Sequence, residues 1–337
     1  MAILVTGASG YVGINVVEAL LAAGREVIAF DAAPLHPAAG AVLAALPGTL
    51  RPVEGDVLDA GALDRALAAA PVSAIIHTAA VTSGPAREAS TPQRVFEVNV
   101  QGTIGVLEAA RRAAVSRVVI TSSGAVYGES LYRPGTMDEG STPVLPLTLY
   151  ATSKYAAERA ARRLAELWQL RVVCARLGTL IGPWERDGAS HVHGVRDNFG
   201  PHSQLACIAL AGGEALLPAQ EASRDWVYSA DVGRTLAALA DAPDLPHTVY
   251  NLSAGIDWSG DIGQWCAVLA ARFPRFRWRT AAVGETPTVH YTDLARSLMA
   301  VDRLHADLGL AAQRDRAQIH RRFADWVAGH GAAWWGI

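Results

Sequence analysis

The chain has almost no excess of either charge: 29 Lys and Arg stand against 32 Asp and Glu, a formal net charge of -3 over 337 residues. Binding a nucleic-acid backbone calls for a basic surface, so nucleic acid is excluded as the main partner. Cysteine is scarce. Cys174, Cys207 and Cys266 lie too far apart for a close-spaced zinc set and are too few for a secreted disulfide framework, so all three read as core thiols. No apolar run approaches the ~18 residues of a membrane span, and no basic leader precedes the glycines near the start. The expectation is a cytoplasmic protein with no membrane contact. Low-complexity tracts and fixed-period repeats are missing too. Charged residues make up only 18% against 51% hydrophobic, which excludes a disordered chain and predicts a large core.

What is present alternates. Short β-branched runs at 3–5, 26–30, 50–53, 74–77, 117–120 and 171–175 predict strands. Between them, helical periodicity covers 11–23 (closed by Gly24), 59–70 (with Asp59 as N-cap), 92–114 and 149–168. Strands that are apolar on both faces, separated by helices, predict an α/β fold: a doubly wound parallel sheet. After Arg176 the texture changes to Gly, His, Asp, Arg and Pro over 182–204, as in loops over a cleft. Helices near 203–211 and 231–240, strands at 226–228 and 248–252, and an amphipathic tail at 317–335 with Phe323, Trp326 and Trp334 facing inward complete the pattern. The expected division is a nucleotide-binding domain at 1–177, with 224–253 returning to it, and a mainly substrate-binding domain at 178–337.

Thr6-Gly-Ala-Ser-Gly-Tyr-Val-Gly13 joins the first strand to the first helix. Gly7, Gly10 and Gly13 stand where a tight turn, a close phosphate approach and helix–sheet packing leave no room for side chains. The N–H groups of Tyr11, Val12 and Gly13 open a helix that can receive a pyrophosphate. Asp31 ends the second strand, where a carboxylate bonds ribose hydroxyls and repels a 2′-phosphate, favouring NAD over NADP. A plain turn would leave Asp31 without a reason. Asp56, in Gly55-Asp56-Val57, fits either an adenine contact or a helix cap. Tyr150 and Lys154 are four apart on one helix face, and an ammonium beside a phenol favours the phenolate. Alone, such a pair is an ordinary surface feature. Thr121-Ser-Ser123 ends the neighbouring strand at the edge where doubly wound folds bind ligands, and Ser123 can bond a reacting oxygen.

Taken together these motifs resemble the extended short-chain dehydrogenases/reductases, also called the NAD-dependent epimerase/dehydratase family. His77-Thr-Ala-Ala80, Asn99-Val-Gln-Gly-Thr103, Thr121-Ser-Ser-Gly-Ala-Val-Tyr-Gly128, Arg224-Asp-Trp-Val-Tyr228 and Tyr250-Asn-Leu252 extend the match over about three quarters of the chain. The resemblance implies a Rossmann domain, a small C-terminal substrate domain, NAD as cofactor, and a homodimer packed through the helices at 92–114 and 150–168. It implies Ser123, Tyr150 and Lys154 as the catalytic group, with Lys154 lowering the Tyr150 pKa. It places Val57, Ala79, Ala80, Asn99, Thr121 and Leu177 along the cofactor, and Thr82, Ala125, Thr179, Asn198 and Arg224 on the substrate.

Departures from the family pattern bear on the substrate. Gly124-Ala125 stands where dehydratases carry Asp-Glu, which disfavours elimination of water. Thr179 replaces a usual Asn, and Val283-Gly-Glu-Thr-Pro-Thr-Val289 lacks the cationic clamp that helps nucleotide-sugar epimerases hold a diphosphate. With one anchor missing, the balance tips toward net oxidation or reduction of a sugar, sugar acid or hydroxy acid. A nucleotide-sugar 4-epimerase with retained NAD is the alternative, and a non-catalytic NAD sensor the alternative of another class. Arg186 and Arg196 could pair with a substrate anion or be solvated loop charge. His191, His193 and His202 lack a completing ligand, so no metal is expected. The tryptophans of the second half read as packing.

Overall fold

The computed structural model describes residues 1–186, 199–221, 224–290 and 294–337. Seven strands form one parallel sheet: β1 (Ala2–Thr6), β2 (Glu26–Asp31), β3 (Thr49–Glu54), β4 (Val72–His77), β5 (Arg117–Ser123), β6 (Arg171–Leu177) and β7 (Val249–Leu252). Their spatial order is β7-β6-β5-β4-β1-β2-β3, every pair parallel. The order reverses between β1 and β4, opening a crevice at the C-terminal ends of the strands. This is the Rossmann-type doubly wound arrangement, in which that crevice is the ligand site.

Alternation along each strand supplies both faces of the sheet. Ile3, Val5, Val27, Ala29, Ile76, Val119 and Val173 pack against Val16, Leu20, Leu236 and Leu239 of helices Tyr11–Ala22 and Ser229–Asp241. Leu4, Ile28, Phe30, Ile75, Val118, Ile120 and Cys174 face the other way, onto helices Ala60–Ala68, Thr103–Arg112 and Leu149–Trp168. Burial on both faces is why these strands read as continuous apolar runs.

Three parallel two-stranded sheets lie outside this one: Trp226–Tyr228 with Thr179–Ile181, Arg277–Thr280 with Glu214–Leu217, and Leu298–Met299 with Thr136–Met137. A separate core gathers Trp258, Trp265, Phe276, Phe323 and Leu205, with the Trp265 and Phe323 rings stacked 5.0 Å apart. Trp334 is buried beside Trp184, whereas Trp326 is only half-buried. Among the described residues no helix is long and apolar enough to cross a membrane.

Several details differ from the sequence reading. The helix expected at 92–114 is Pro92–Phe96 and Thr103–Arg112 joined by a π-helical turn, Glu97–Gly102, around Asn99. The tail carries a second π turn at Val327–Gly331. Cys174 and Cys266 are buried thiols, but Cys207 is half-buried. Asp56 does not cap a helix. Asp59 does, its carboxylate accepting from the Gly61 and Ala62 N–H groups at 2.9 and 3.1 Å. Asp59→Ala is therefore expected to lower the unfolding free energy by about 1 kcal/mol in urea titration. NAD affinity, measured on the same preparation, should not change.

Candidate active site

The turn after β1 is built for close approach. Gly7 has φ +69°, and a Cβ there would lie 2.5 Å from the Ala79 nitrogen; one on Gly13 would lie 2.0 Å from the Gly7 carbonyl oxygen. Gly10 occupies the cap of helix Tyr11–Ala22 without a side-chain acceptor. The first N–H groups of that helix thus face the crevice with no side chain over them. The Asp31 carboxylate accepts from Ser9 N at 2.9 Å and Ala33 N at 3.0 Å, which fixes it beside the turn.

A cavity of about 350 Å³ opens here, lined by Gly7, Gly10, Asp31, Asp56, Val57, Ala79 and Ala80 among others. Its glycine floor and acidic rim fit an adenine dinucleotide. Tyr11 and Val12 turn their side chains away. The Tyr11 phenol packs with Ile14 and Trp184, and Val12 packs on the sheet core. Only their backbones can meet a ligand in this cavity. Burial raises the Asp56 carboxyl, but the Leu58 N–H and the Arg94 guanidinium at 2.9 Å outweigh it and hold the group below its usual range.

Asn99 is not on the cavity wall but behind it. Its side-chain oxygen accepts from Val81 N at 2.7 Å, and its amide donates to the Val81 carbonyl and to Ser153 Oγ. The π turn brings it there, bracing the Ala79–Val81 wall against the Tyr150 helix. His77 is buried between Thr6 Oγ1 at 2.7 Å and Thr103 Oγ1 at 3.0 Å. Burial first, then the Lys154 charge, push it down to about 3, so it is neutral.

Thr148 starts helix Leu149–Trp168 by accepting from Ala151 N. That start sets Tyr150 over the end of β5, close enough to the Ser123 hydroxyl for it to favour the phenolate. Lys154 donates to the Thr121 carbonyl at 2.7 Å, and Thr121 Oγ1 donates to the His77 carbonyl. One expectation is corrected. Desolvation pushes the Tyr150 phenol above its usual value, the Ser123 bond offsets this only in part, and Lys154 does not set the balance. Burial lowers Lys154 itself to about 8.

A second, smaller cavity of about 70 Å³ joins Ser123 to Ala125, Leu177, Thr179, Arg224 and Arg296. Arg224 is 5% exposed, and among the described residues its Nη1 and Nη2 have no partner, nor does Nε of Arg296. Burial, then repulsion from Arg296, lower Arg224 to about 10. Arg296 was invisible to motif reading because Ala295-Arg-Ser-Leu298 matches no pattern; only the fold brings it beside Arg224. At Gly124 a Cβ would meet Met299 Sδ at 2.9 Å, so a side chain there would require the Met299 side chain to move.

Other candidates lie elsewhere. Arg186 is outside the cleft, its guanidinium 5.3 Å over the Trp334 ring, because Trp184 packs beside Trp334 and carries the chain to that junction. Thr82 is exposed and borders neither cavity; its carbonyl accepts from Arg87. Asn198, Arg196, His191 and His193 lie outside the described residues. His202 instead meets Asp261 at 2.7 Å, with His320 at 3.2 Å, all buried. Two ligands of one tetrahedral ion stay about 3.3 Å apart. The shorter contact is a hydrogen bond, and the trio a clasp between three helices.

Comparison with known proteins agrees with the fold. The sequence model of the NAD dependent epimerase/dehydratase family matches residues 3–253, and the chain belongs to that family of NAD-dependent enzymes. It is 31% identical over 268 residues to a UDP-glucose 4-epimerase of Mycolicibacterium smegmatis, covering 77% of this chain and 79% of that protein. A probable UDP-glucuronate 4-epimerase of Rhizobium meliloti is 30% identical over 192 residues, 55% of each chain. The solved UDP-glucose 4-epimerase of Thermus thermophilus in complex with NAD is 27% identical with a TM-score of 0.76, covering 98% of this chain and 99% of that one.

A buried ammonium bonded to a neutral carbonyl costs stability. The folded pKa of Lys154, about 8, lies below the 10.5 of a free lysine. The unfolded chain therefore binds more protons between those values, and stability should rise as pH climbs from about 8 toward 10.5. Lys154→Met is expected to abolish turnover, raise the unfolding free energy of the NAD-free protein by about 1–3 kcal/mol at pH 7 and flatten that rise. Urea titrations across the pH range read all but the turnover.

Proposed function

We propose that this enzyme moves a hydride between a secondary carbinol of a nucleotide-diphosphate sugar and NAD, as a 4-epimerase does. The observation that carries the reading is the Arg224–Arg296 pair. Arg224, buried with its Nη1 and Nη2 unpaired among the described residues, shares a cavity with Ser123 and with the half-buried Arg296, and two like charges side by side call for an anion. The clamp missing at 283–289 thus has a substitute seven residues downstream. An epimerase must release and turn its keto intermediate without losing it, so a fixed anionic handle is useful. The similarity to UDP-glucose 4-epimerases supports the same reading.

In this proposal residues 1–177, with 224–253, hold the cofactor, and 178–337 supply most of the substrate side. The pyrophosphate rests on the N–H groups of Tyr11, Val12 and Gly13 above Gly7 and Gly10; Asp31 takes the ribose hydroxyls, and Asp56 with Val57 the adenine. Bound NAD supplies the hydride acceptor and donor. Tyr150 removes the proton from the substrate hydroxyl and returns it, Ser123 bonds the same oxygen, and Lys154 holds positive charge beside the phenol. Leu177, Thr179 and Ala125 wall the sugar. The exposed Leu167 on helix Leu149–Trp168 supports a homodimer through that helix, and the scarcity of cysteine supports a cytoplasmic location.

Incubation with UDP-hexoses and UDP-hexuronates, followed by NMR of the sugar and absorbance at the NADH band, tests this. An epimer formed without accumulating NADH is expected. Net NADH production from a free sugar or hydroxy acid, with no nucleotide sugar turned over, would overturn it. Arg224→Ala and Arg296→Ala should each raise KM for the nucleotide sugar by about 10-fold or more, since each removes charge-assisted bonds. Tyr150→Phe should instead cut kcat by about 100-fold or more.

A further inference from the structure

Behind the site lies a buried polar row that touches neither cavity. Ser122, Arg176 and Asn251 are register partners on β5, β6 and β7, each one residue before the strand ends. Strand alternation turns Ser122 away from the pocket that Ser123 faces. Ser122 Oγ donates to Glu158 Oε2 at 3.2 Å. Glu158 stands one turn beyond Lys154 on the catalytic helix. Arg176 grips the same carboxylate with both edges of its fork, Nη2 to Oε1 at 2.6 Å and Nε to Oε2 at 3.0 Å, with both side chains almost fully buried. The guanidinium lies 4.9 Å over the Tyr127 ring, whose hydroxyl donates to Asn251 Oδ1 at 2.8 Å.

A buried ion pair is a poor source of stability, because desolvation offsets most of its attraction and an apolar replacement of equal volume often does as well. Its bidentate geometry does set position. Glu158 ties the helix that carries Tyr150 and Lys154 to the strands that carry Ser123 and Leu177, at a point one residue from the reacting groups. We propose that Glu158 and Arg176 are positioning residues that act through Ser122 to hold the Ser123 hydroxyl against the Tyr150 phenol. This rests on the acid/base role assigned to Tyr150 above, and not on which substrate is turned over.

The test is a double-mutant cycle on the NAD-loaded protein, with two readouts. The first is the titration of Tyr150, followed by carbon NMR of protein labelled at the tyrosine ring carbon bearing the hydroxyl and assigned with Tyr150→Phe. The second is kcat on whichever sugar is turned over. Ser123→Ala should move the Tyr150 titration upward. Glu158→Gln should move it the same way by about half a pH unit or more, with NAD affinity unchanged, and lower kcat by about 10-fold or more. In the Ser123→Ala background Glu158→Gln should add less than about 2-fold and no further titration shift.

Equal effects in both backgrounds would overturn the proposal, since a residue that only supports the fold acts whether or not Ser123 is there. Should Glu158→Gln fail to fold, the paired apolar replacement Glu158→Met/Arg176→Met answers the same question. A stable double variant that keeps the wild-type titration overturns the proposal; a stable one with the shifted titration supports it. The NMR readout needs no substrate, so a shifted titration with no nucleotide sugar turned over would sink the substrate reading alone.

Discussion

An ammonium held inside the protein on a neutral carbonyl is the constraint on which the rest of this structure depends. Lys154 reaches the Thr121 carbonyl only because helix Leu149–Trp168 lies against the ends of β5 and β6 at one height and one rotation. The same placement sets Tyr150 over Ser123, puts Glu158 within reach of Ser122 and Arg176, and lets Ser153 meet Asn99. Burial lowers Lys154 to about 8 and raises Tyr150, moving the two groups apart on the pH scale. Desolvation thus opposes the tuning that the spacing of tyrosine and lysine suggests.

What could be read from the chain was what depends on neighbours in sequence. The glycine turn, Asp31 at the end of β2, the Asp59 cap and the strand and helix order are local demands of backbone conformation and periodicity, and they appear as residue patterns. Arg296 could not be read because its meaning comes from Arg224, 72 positions earlier, across a fold boundary. Arg186 shows the reverse: a loop arginine near a supposed cleft whose position is set by the Trp184–Trp334 contact. The π turn at Asn99 inserts one extra residue into a helix whose apolar pattern looks unbroken, so periodicity alone reads it as a single helix.

The junction around Trp184 and the C-terminal tryptophans mixes apolar and ionisable groups. Trp184 donates to Glu18 at 2.6 Å, and both Trp334 and Trp335 donate to the Glu185 carbonyl at 2.9 Å. The Glu185 carboxylate accepts from Gly200 N and Ser203 Oγ, and burial pushes it up to about 7. The C-terminal helix therefore bridges the first helix of the sheet domain and the start of helix Pro201–Ala211.

The arginine pair and the Gly124-Ala125 step bear on the same chemical choice. Removing water from a sugar needs an acid and a base beside the hydride site, and Gly124 and Ala125 supply neither. Taking a hydride from a carbinol carbon and returning it to the opposite face of the resulting ketone needs no such pair, but it does need the sugar to turn while its distal end stays fixed. In the proposed reading, the buried Arg224, lowered to about 10, and the half-buried Arg296 beside it are costly without an anion and are offset when one binds. That reading places the binding energy at the end of the substrate that does not react, and sets the reacting ring beside Ser123 among Leu177, Thr179 and Ala125.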